Sequence, residues 1–297
     1  MLPAIFTPLG ALLTALTGFT AFYVVMWWTA VTKAKPIEAA LEIGTGFVTN
    51  FFDTLGIGSF ATTTAIFKFF RLVPDRLIPG TLNVGHTLPT VVQAFIYAVV
   101  IAVDVKTLIS MIAAAVAGSW LGSGIVAGWP KRKIQLGMGL ALIAMAAMFA
   151  YKNLPTITGQ PNLLSSSDNG TFDLQGMKLV IGLAGNFALG ALMTLGIGLY
   201  APCMILVGLL GMNPTAAYPI MMGSCAFLMP VSSARFVRKE AYSLRPALAL
   251  ALGGIPAVFI AALLIVKKLD ITNVRWLVVG VVLIAATMML RSAARGE

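Results

Sequence analysis

The sequence predicts an all-α polytopic membrane protein, an inverted-topology internal repeat with about seven full transmembrane helices and two re-entrant helical hairpins. Composition is the first reason: 59% of the 297 residues are hydrophobic and only 10% charged, with a mean hydropathy of +0.94. A soluble domain carries about 25% charged residues. Internal repetition is the second. Thr54-Leu55-Gly56-Ile57-Gly58 recurs as Thr194-Leu195-Gly196-Ile197-Gly198, and the same ungapped offset of 140 superposes Ala61 on Ala201, Pro74 on Pro214 and Pro79 on Pro219. These are eight identities in the 26 positions from Thr54 to Pro79, where composition alone gives roughly two. Third, each copy sets its Gly-X-Gly inside an apolar run too long for one helix and too short for two full spans.

Residues 1–36 hold the first span, the apolar run 9–32, long enough to cross the hydrocarbon at ~1.5 Å per residue. No positive region precedes it, and Trp27-Trp28 reads as an interfacial belt, so it is not a secretory signal. Residues 37–151 form the first repeat: a hairpin with one arm to about Leu55, a tip at Gly56-Ile57-Gly58 and a return arm over 59–70, then spans at about 80–103, 107–129 and 134–151. Residues 152–177, rich in Ser, Asn, Asp and Gly, read as one long polar connector on the extracytoplasmic side. The second repeat, 178–297, has hairpin arms to about Leu195 and over 199–210, then spans at about 217–235, 246–266 and 273–291.

The net charge of +10 comes from Lys and Arg clustered in short loops between apolar runs. That is a topology signal, and with no basic stripe interleaved with aromatics it excludes nucleic acid as a partner. With the N-terminus outside, 14 of the 20 basic residues fall on the cytoplasmic side, which also holds the C-terminus. Each repeat then has one re-entrant hairpin and three crossings, an odd number, so the second copy lies upside down relative to the first. A single broken crossing in place of either hairpin would make the repeats parallel. The only two cysteines, Cys203 and Cys225, lie in apolar segments and in no metal spacing, which excludes a disulfide framework.

The chemistry expected at the tips follows from helix ends. A helix start carries unpaired N–H groups and about +0.5 of an elementary charge, so two such starts at the membrane midplane make an anion site without a buried cation. Candidates for contact with a small anion are Gly56, Gly58, Ser59, Thr62 and Thr63 at the first tip, and Gly196, Gly198, Tyr200 and Cys203 at the second. The second tip lacks the first one's hydroxyl ladder, so the halves are unequal. Asn83, His86 and Thr87, in the polar stretch before Pro89, are further candidates, as are Ser224 and Cys225 in the corresponding stretch before Pro230. Asp53, with Asn50 one turn earlier, is an intramembrane carboxylate, and such a costly group marks a site by default. Its bland alternative is pairing with nearby backbone or with Lys68. His86, the chain's one histidine, suits either proton relay or a satisfied interhelix bond. Asp53 and His86 are therefore the proton-coupling candidates, with Gln93 and Arg235 weaker site candidates.

These paired breaks, each followed by a polar or Pro-containing head and a short loop with Pro, resemble the sulfite exporter TauE/SafE family of permeases. The run 51–90 (FFDTLGIGSFATTTAIFKFFRLVPDRLIPGTLNVGHTLPT) carries most of the resemblance. It implies a secondary transporter in the bacterial inner membrane, moving sulfite, a small organosulfonate or a related carboxylate. Many relatives have a Gly-Gly-Gly tip, whereas this chain has Gly-Ile-Gly at both. The expected partners are the anionic substrate, membrane lipid and a coupling proton; no cofactor is expected, and the arrangement is compatible with a homodimer. A channel built from the same half-helices is the alternative within transport. A thiol-redox carrier using Cys203 and Cys225 is a remoter one, and no nucleophile and base pair points to an enzyme.

Overall fold

The computed structural model describes residues 7–32, 40–56, 58–126, 131–159, 170–193, 198–266 and 271–295. Among these, the α-helices are α1 (Pro8–Val31), α2 (Ala40–Thr54), α3 (Ser59–Phe70), α4 (Ile78–Val100), α5 (Val105–Val126), α6 (Lys131–Asn153), α7 (Pro155–Thr158), α8 (Gly176–Met193), α9 (Tyr200–Leu209), α10 (Ala217–Arg238), α11 (Leu244–Val266) and α12 (Ile271–Arg295). The described residues form no strand, only an isolated bridge between Thr171 and Met212. Four segments are helical, long and apolar enough to cross a membrane: Pro8–Trp28, Gly176–Met193, Pro214–Arg238 and Leu244–Leu264. The chain is thus an all-α protein with the helices of a membrane protein. The sequence led to more spans. One reason is α4, whose Asn83, His86, Thr87, Thr90 and Gln93 dilute an otherwise apolar helix and are all buried. Conversely α8, expected as a hairpin arm, is itself of spanning length.

The chain divides into two units, Met1–Val100 with Met222–Leu264, and Ile101–Met221 with Ile265–Glu297. In the first, α2 ends in tight backbone bonds, Leu55 N–H to Phe52 O and Gly56 N–H to Asp53 O. Gly56 (φ 93°) and Gly58 (φ 86°) then turn the chain through conformations that other residues rarely adopt. Helix α3 closes on Arg71 in the left-handed region, with Arg71 N–H on Lys68 O and Leu72 N–H on Phe67 O. Helix α2 crosses α11 at Gly46, where a Cβ would stand 2.7 Å from the Leu250 Cα. From the side of α11, Gly253 meets the backbone of Ile43 and Phe47, and Gly254 meets Asn50 and Pro89. Tyr23 and Trp27 of α1 pack with Val84, Ala247, Leu248 and Ala251, and Tyr23 donates its hydroxyl to Val84 O at 2.6 Å. The first turn of α4 meets the loop before α11 where Ser243 N–H donates to Thr81 Oγ1 at 2.9 Å.

The second unit is built on helix pairs, α5 and α8 running in the same direction, α8 with α9 and α6 with α12 running antiparallel. Helices α5 and α8 meet through Gly118 on the Phe187 backbone, Gly190 on the Ala115 backbone and Asn186 Nδ2 donating to Met111 O at 2.7 Å. Helices α8 and α9 form a hairpin with Gly182 beside Leu210 and Gly185 beside Leu206. Helices α6 and α12 pair through Arg132 Nε on Ala293 O, Gln135 Nε2 on Ser292 Oγ and Gly139 against Leu290, with Leu142 and Val282 buried. At both ends of the polar connector the described residues are ordered. Helix α6 runs on to Asn153, α7 adds a turn, and residues 171–174 are pinned. Thr171 exchanges backbone bonds with Gly211 and Asn213, Phe172 O accepts from Asp104 N–H, and Leu174 N–H donates to Thr107 Oγ1. The loop after α9 closes on Gly211 (φ 91°), with Gly211 N–H on Gly208 O and Met212 N–H on Val207 O.

Candidate functional site

The break between α2 and α3 is held by one residue. Asp53 takes the Gly56 N–H on its backbone carbonyl at 2.8 Å and the Ser59 N–H on carboxylate Oδ1 at 2.5 Å. Ser59 is the first residue of α3, so the carboxylate lies against the helix start whose free N–H groups the sequence marks as an anion site. From α4, Gln93 Nε2 donates to Asp53 Oδ2 at 2.9 Å and to Thr54 Oγ1 at 3.0 Å, while Tyr97 donates its hydroxyl to Thr54 O at 3.0 Å. Asp53 is 1% exposed, and Gln93 and Tyr97 are fully buried. Only neutral donors appear among these contacts, so the carboxylate charge is spread over hydrogen bonds to backbone and amide.

Two turns earlier on α4, His86 ties three helices together. Its Nδ1 lies 3.0 Å from Asn50 Oδ1 on α2 and its Nε2 lies 3.0 Å from Thr63 Oγ1 on α3. Asn50 Nδ2 is committed to Gly46 O at 2.7 Å, which turns Oδ1 toward the ring. An amide oxygen only accepts, so Nδ1 carries the proton and Nε2 accepts from the Thr63 hydroxyl. Phe60 covers the ring at a centroid distance of 6.0 Å. Farther along, Asn83 donates to Pro79 O and accepts from the Ser232 hydroxyl at 2.8 Å, and Thr87 lies 3.1 Å from Ser233 Oγ.

Of the residues singled out from sequence, the structure brings Asp53, Ser59, Thr63 and His86 into one buried polar region with Asn50. Asn83 and Thr87 lie on the same face of α4, bonded to α10 instead. Thr62 turns its hydroxyl back on Gly58 O and Ser59 O within its own helix, so it is a local back-bond and not an outward donor. Gly58 has the positive φ its role requires, and nothing lies within 4 Å of the point where a Cβ would stand. Gly198 has the same open space in its unit. Gly196 lies outside the described residues. Tyr200 and Cys203 are buried in the first turn of α9, which, like α3, has no side-chain cap on its N-cap residue. Ser224 and Cys225 are buried on α10. Thr54, Tyr97, Ser232 and Ser233 were missed. Tyr97 was findable, because Asn83, His86, Thr90, Gln93 and Tyr97 recur at three- and four-residue steps along one face. The serines carry no such signal. No family model, curated protein or solved structure matches this chain.

Proposed function

We propose that the chain is a secondary transporter of a small anion, first of all sulfite or an organosulfonate, that belongs to the sulfite exporter TauE/SafE family and works in a bacterial inner membrane. The observation that carries this reading is the broken segment at Asp53–Ser59. There a buried helix start follows a glycine whose backbone borders open space, a place where N–H groups can meet an anion in an apolar surround.

The inverted repeat is the architecture that such a carrier needs, and several features support it. The elements α2, α3, α4, α5 and α6 recur as α8, α9, α10, α11 and α12 at the offset of 140, with ends agreeing to within four residues. The closing turn at Arg71-Leu72 recurs at Gly211-Met212. Helices α6 and α12, counterparts in the two repeats, run antiparallel, and the buried Leu142 and Val282 are counterparts at that offset. The loop bonds agree with the charge count. Thr81 bonds Ser243, both beside loops expected inside, whereas Asp104, Phe172 and Asn213 share bonds among loops expected outside. A hairpin that leaves where it came in is what a re-entrant segment requires.

Thermal stabilisation of the purified protein by sulfite, sulfate, thiosulfate, sulfoacetate, taurine, acetate and chloride tests the substrate class. A ligand that binds only the folded state raises its stability by mass action. A selective shift with sulfite or a sulfonate is expected; the same response to every anion, or none, would sink the reading.

A further inference from the structure

We propose that Asp53 is the proton-binding group of this carrier and that anion and proton bind together, one of each. The proposal rests on the reading above, in which the anion meets the start of α3.

The argument is one of charge. The Ser59 N–H that the anion would use is already taken by Asp53 Oδ1, so the chain carries its own anion at that helix start. A second negative charge there, a few ångströms from a carboxylate in a buried surround, forces one of the two to be neutralised. A sulfonate stays ionised throughout the accessible pH range. The proton must therefore go to Asp53: its carboxylate gains one proton, becomes a neutral acid and releases the Ser59 N–H to the anion. When the anion leaves, the proton leaves with it and Oδ1 takes the N–H back.

The partner across from Asp53 suits that exchange. An arginine or lysine would hold the carboxylate charged, whereas the Gln93 amide donates to the ionised form at 2.9 Å and, turned over, accepts from the protonated one. The hydrogen bonds described for the other titratable groups on the elements packed here lead away from the carboxylate. On α4, Tyr97 is bound to Thr54 O, and His86 is bound between Asn50 and Thr63. On α3 the nearest cation is Lys68, nine residues from Ser59 or ~14 Å along the helix. Glu42 lies eleven residues before Asp53 on α2, and Arg245 stands at the far end of α11 from Gly254. The second repeat has Met193 at the position of Asp53, so the duplication contains one such carboxylate and the coupling is one to one.

The test uses methanesulfonate, which does not itself titrate near neutrality. Calorimetry of the wild-type protein in two buffers of different ionisation enthalpy counts protons taken up per anion bound. One proton is expected, with affinity falling tenfold for each unit of pH raised. In Asp53→Asn, a neutral isostere, binding persists with that slope abolished, and proteoliposomes no longer accumulate methanesulfonate when the outside is made acid relative to the inside. Binding by the wild type with no proton uptake, or gradient-driven accumulation by Asp53→Asn, overturns the proposal and leaves the transporter reading standing. Absence of saturable binding by methanesulfonate and by sulfite overturns both. The wild-type proton count decides the matter even if Asp53→Asn fails to fold.

Discussion

His86 is the residue where the structure says most about chemistry. Its two ring nitrogens face an obligate acceptor and a hydroxyl, which assigns the proton to Nδ1. Because the chain has a single histidine, a spectrum of protein labelled with ¹⁵N-histidine reports this residue alone. The expected result is one neutral imidazole with a protonated Nδ1 and an unprotonated Nε2; the reverse tautomer would mean that Asn50 does not face the ring as described. His86→Ala strands the Asn50 carbonyl and the Thr63 hydroxyl in a buried place. The expected loss is about 2–4 kcal/mol, read as a lower melting temperature in detergent. Gln93→Leu removes the Nε2 hydrogen bonds to Asp53 and Thr54 and should cost about as much, whereas Thr62→Ala loses only a hydroxyl bond to its own helix backbone and should cost well under half that. From sequence alone, Asp53 and His86 stood out because polar groups are rare in such segments. Their partners did not, since a buried asparagine, glutamine or serine looks the same whether it bonds a neighbouring helix or its own backbone.

At the scale of elements, glycine decides how closely helices approach. Gly44 and Gly46 sit two residues apart on α2 and make a paired test. At Gly44 nothing lies within 4 Å of an added Cβ, whereas at Gly46 it would meet Leu250 Cα and O at 2.7 Å. Gly44→Ala should be neutral or stabilising by up to about 1 kcal/mol, through helix propensity. Gly46→Ala must push α2 off α11 and is expected to lose about 1–3 kcal/mol. Equal melting temperatures for the two variants would contradict the crossing. Many helix boundaries were legible in advance, because a Gly-X-Gly or a run of Lys and Arg interrupts several of the apolar stretches. The breaks flanking Gly56 and Gly198 fall within two residues of expectation. Which helix packs on which was not legible. The α2 crossing on α11 and its counterpart, α8 on α5, join elements some two hundred or some seventy residues apart through small residues that carry no pattern of their own.

For the whole molecule the sharpest consequence of an inverted repeat is that equivalent loops face opposite sides. Arg76, in the loop after α3, and Thr215, in the loop after α9, occupy nearly equivalent positions, their offset being 139. Parallel repeats would put both on one side of the membrane. The proposed inverted repeat separates them: the first loop runs into Thr81, which bonds Ser243 next to a cluster of Arg and Lys, while the second bonds Thr171 in the connector. The charge rule assigns these neighbourhoods to the inside and the outside respectively. With Cys203 and Cys225 replaced by alanine, single cysteines at Arg76, Glu240, Thr171 and Thr215 can be reacted with a membrane-impermeant maleimide in intact spheroplasts and in inverted vesicles. Arg76→Cys and Glu240→Cys should label only in inverted vesicles, Thr171→Cys and Thr215→Cys only in spheroplasts. Labelling of positions 76 and 215 from one side would make the repeats parallel and overturn the inverted repeat on which the proposed carrier is built.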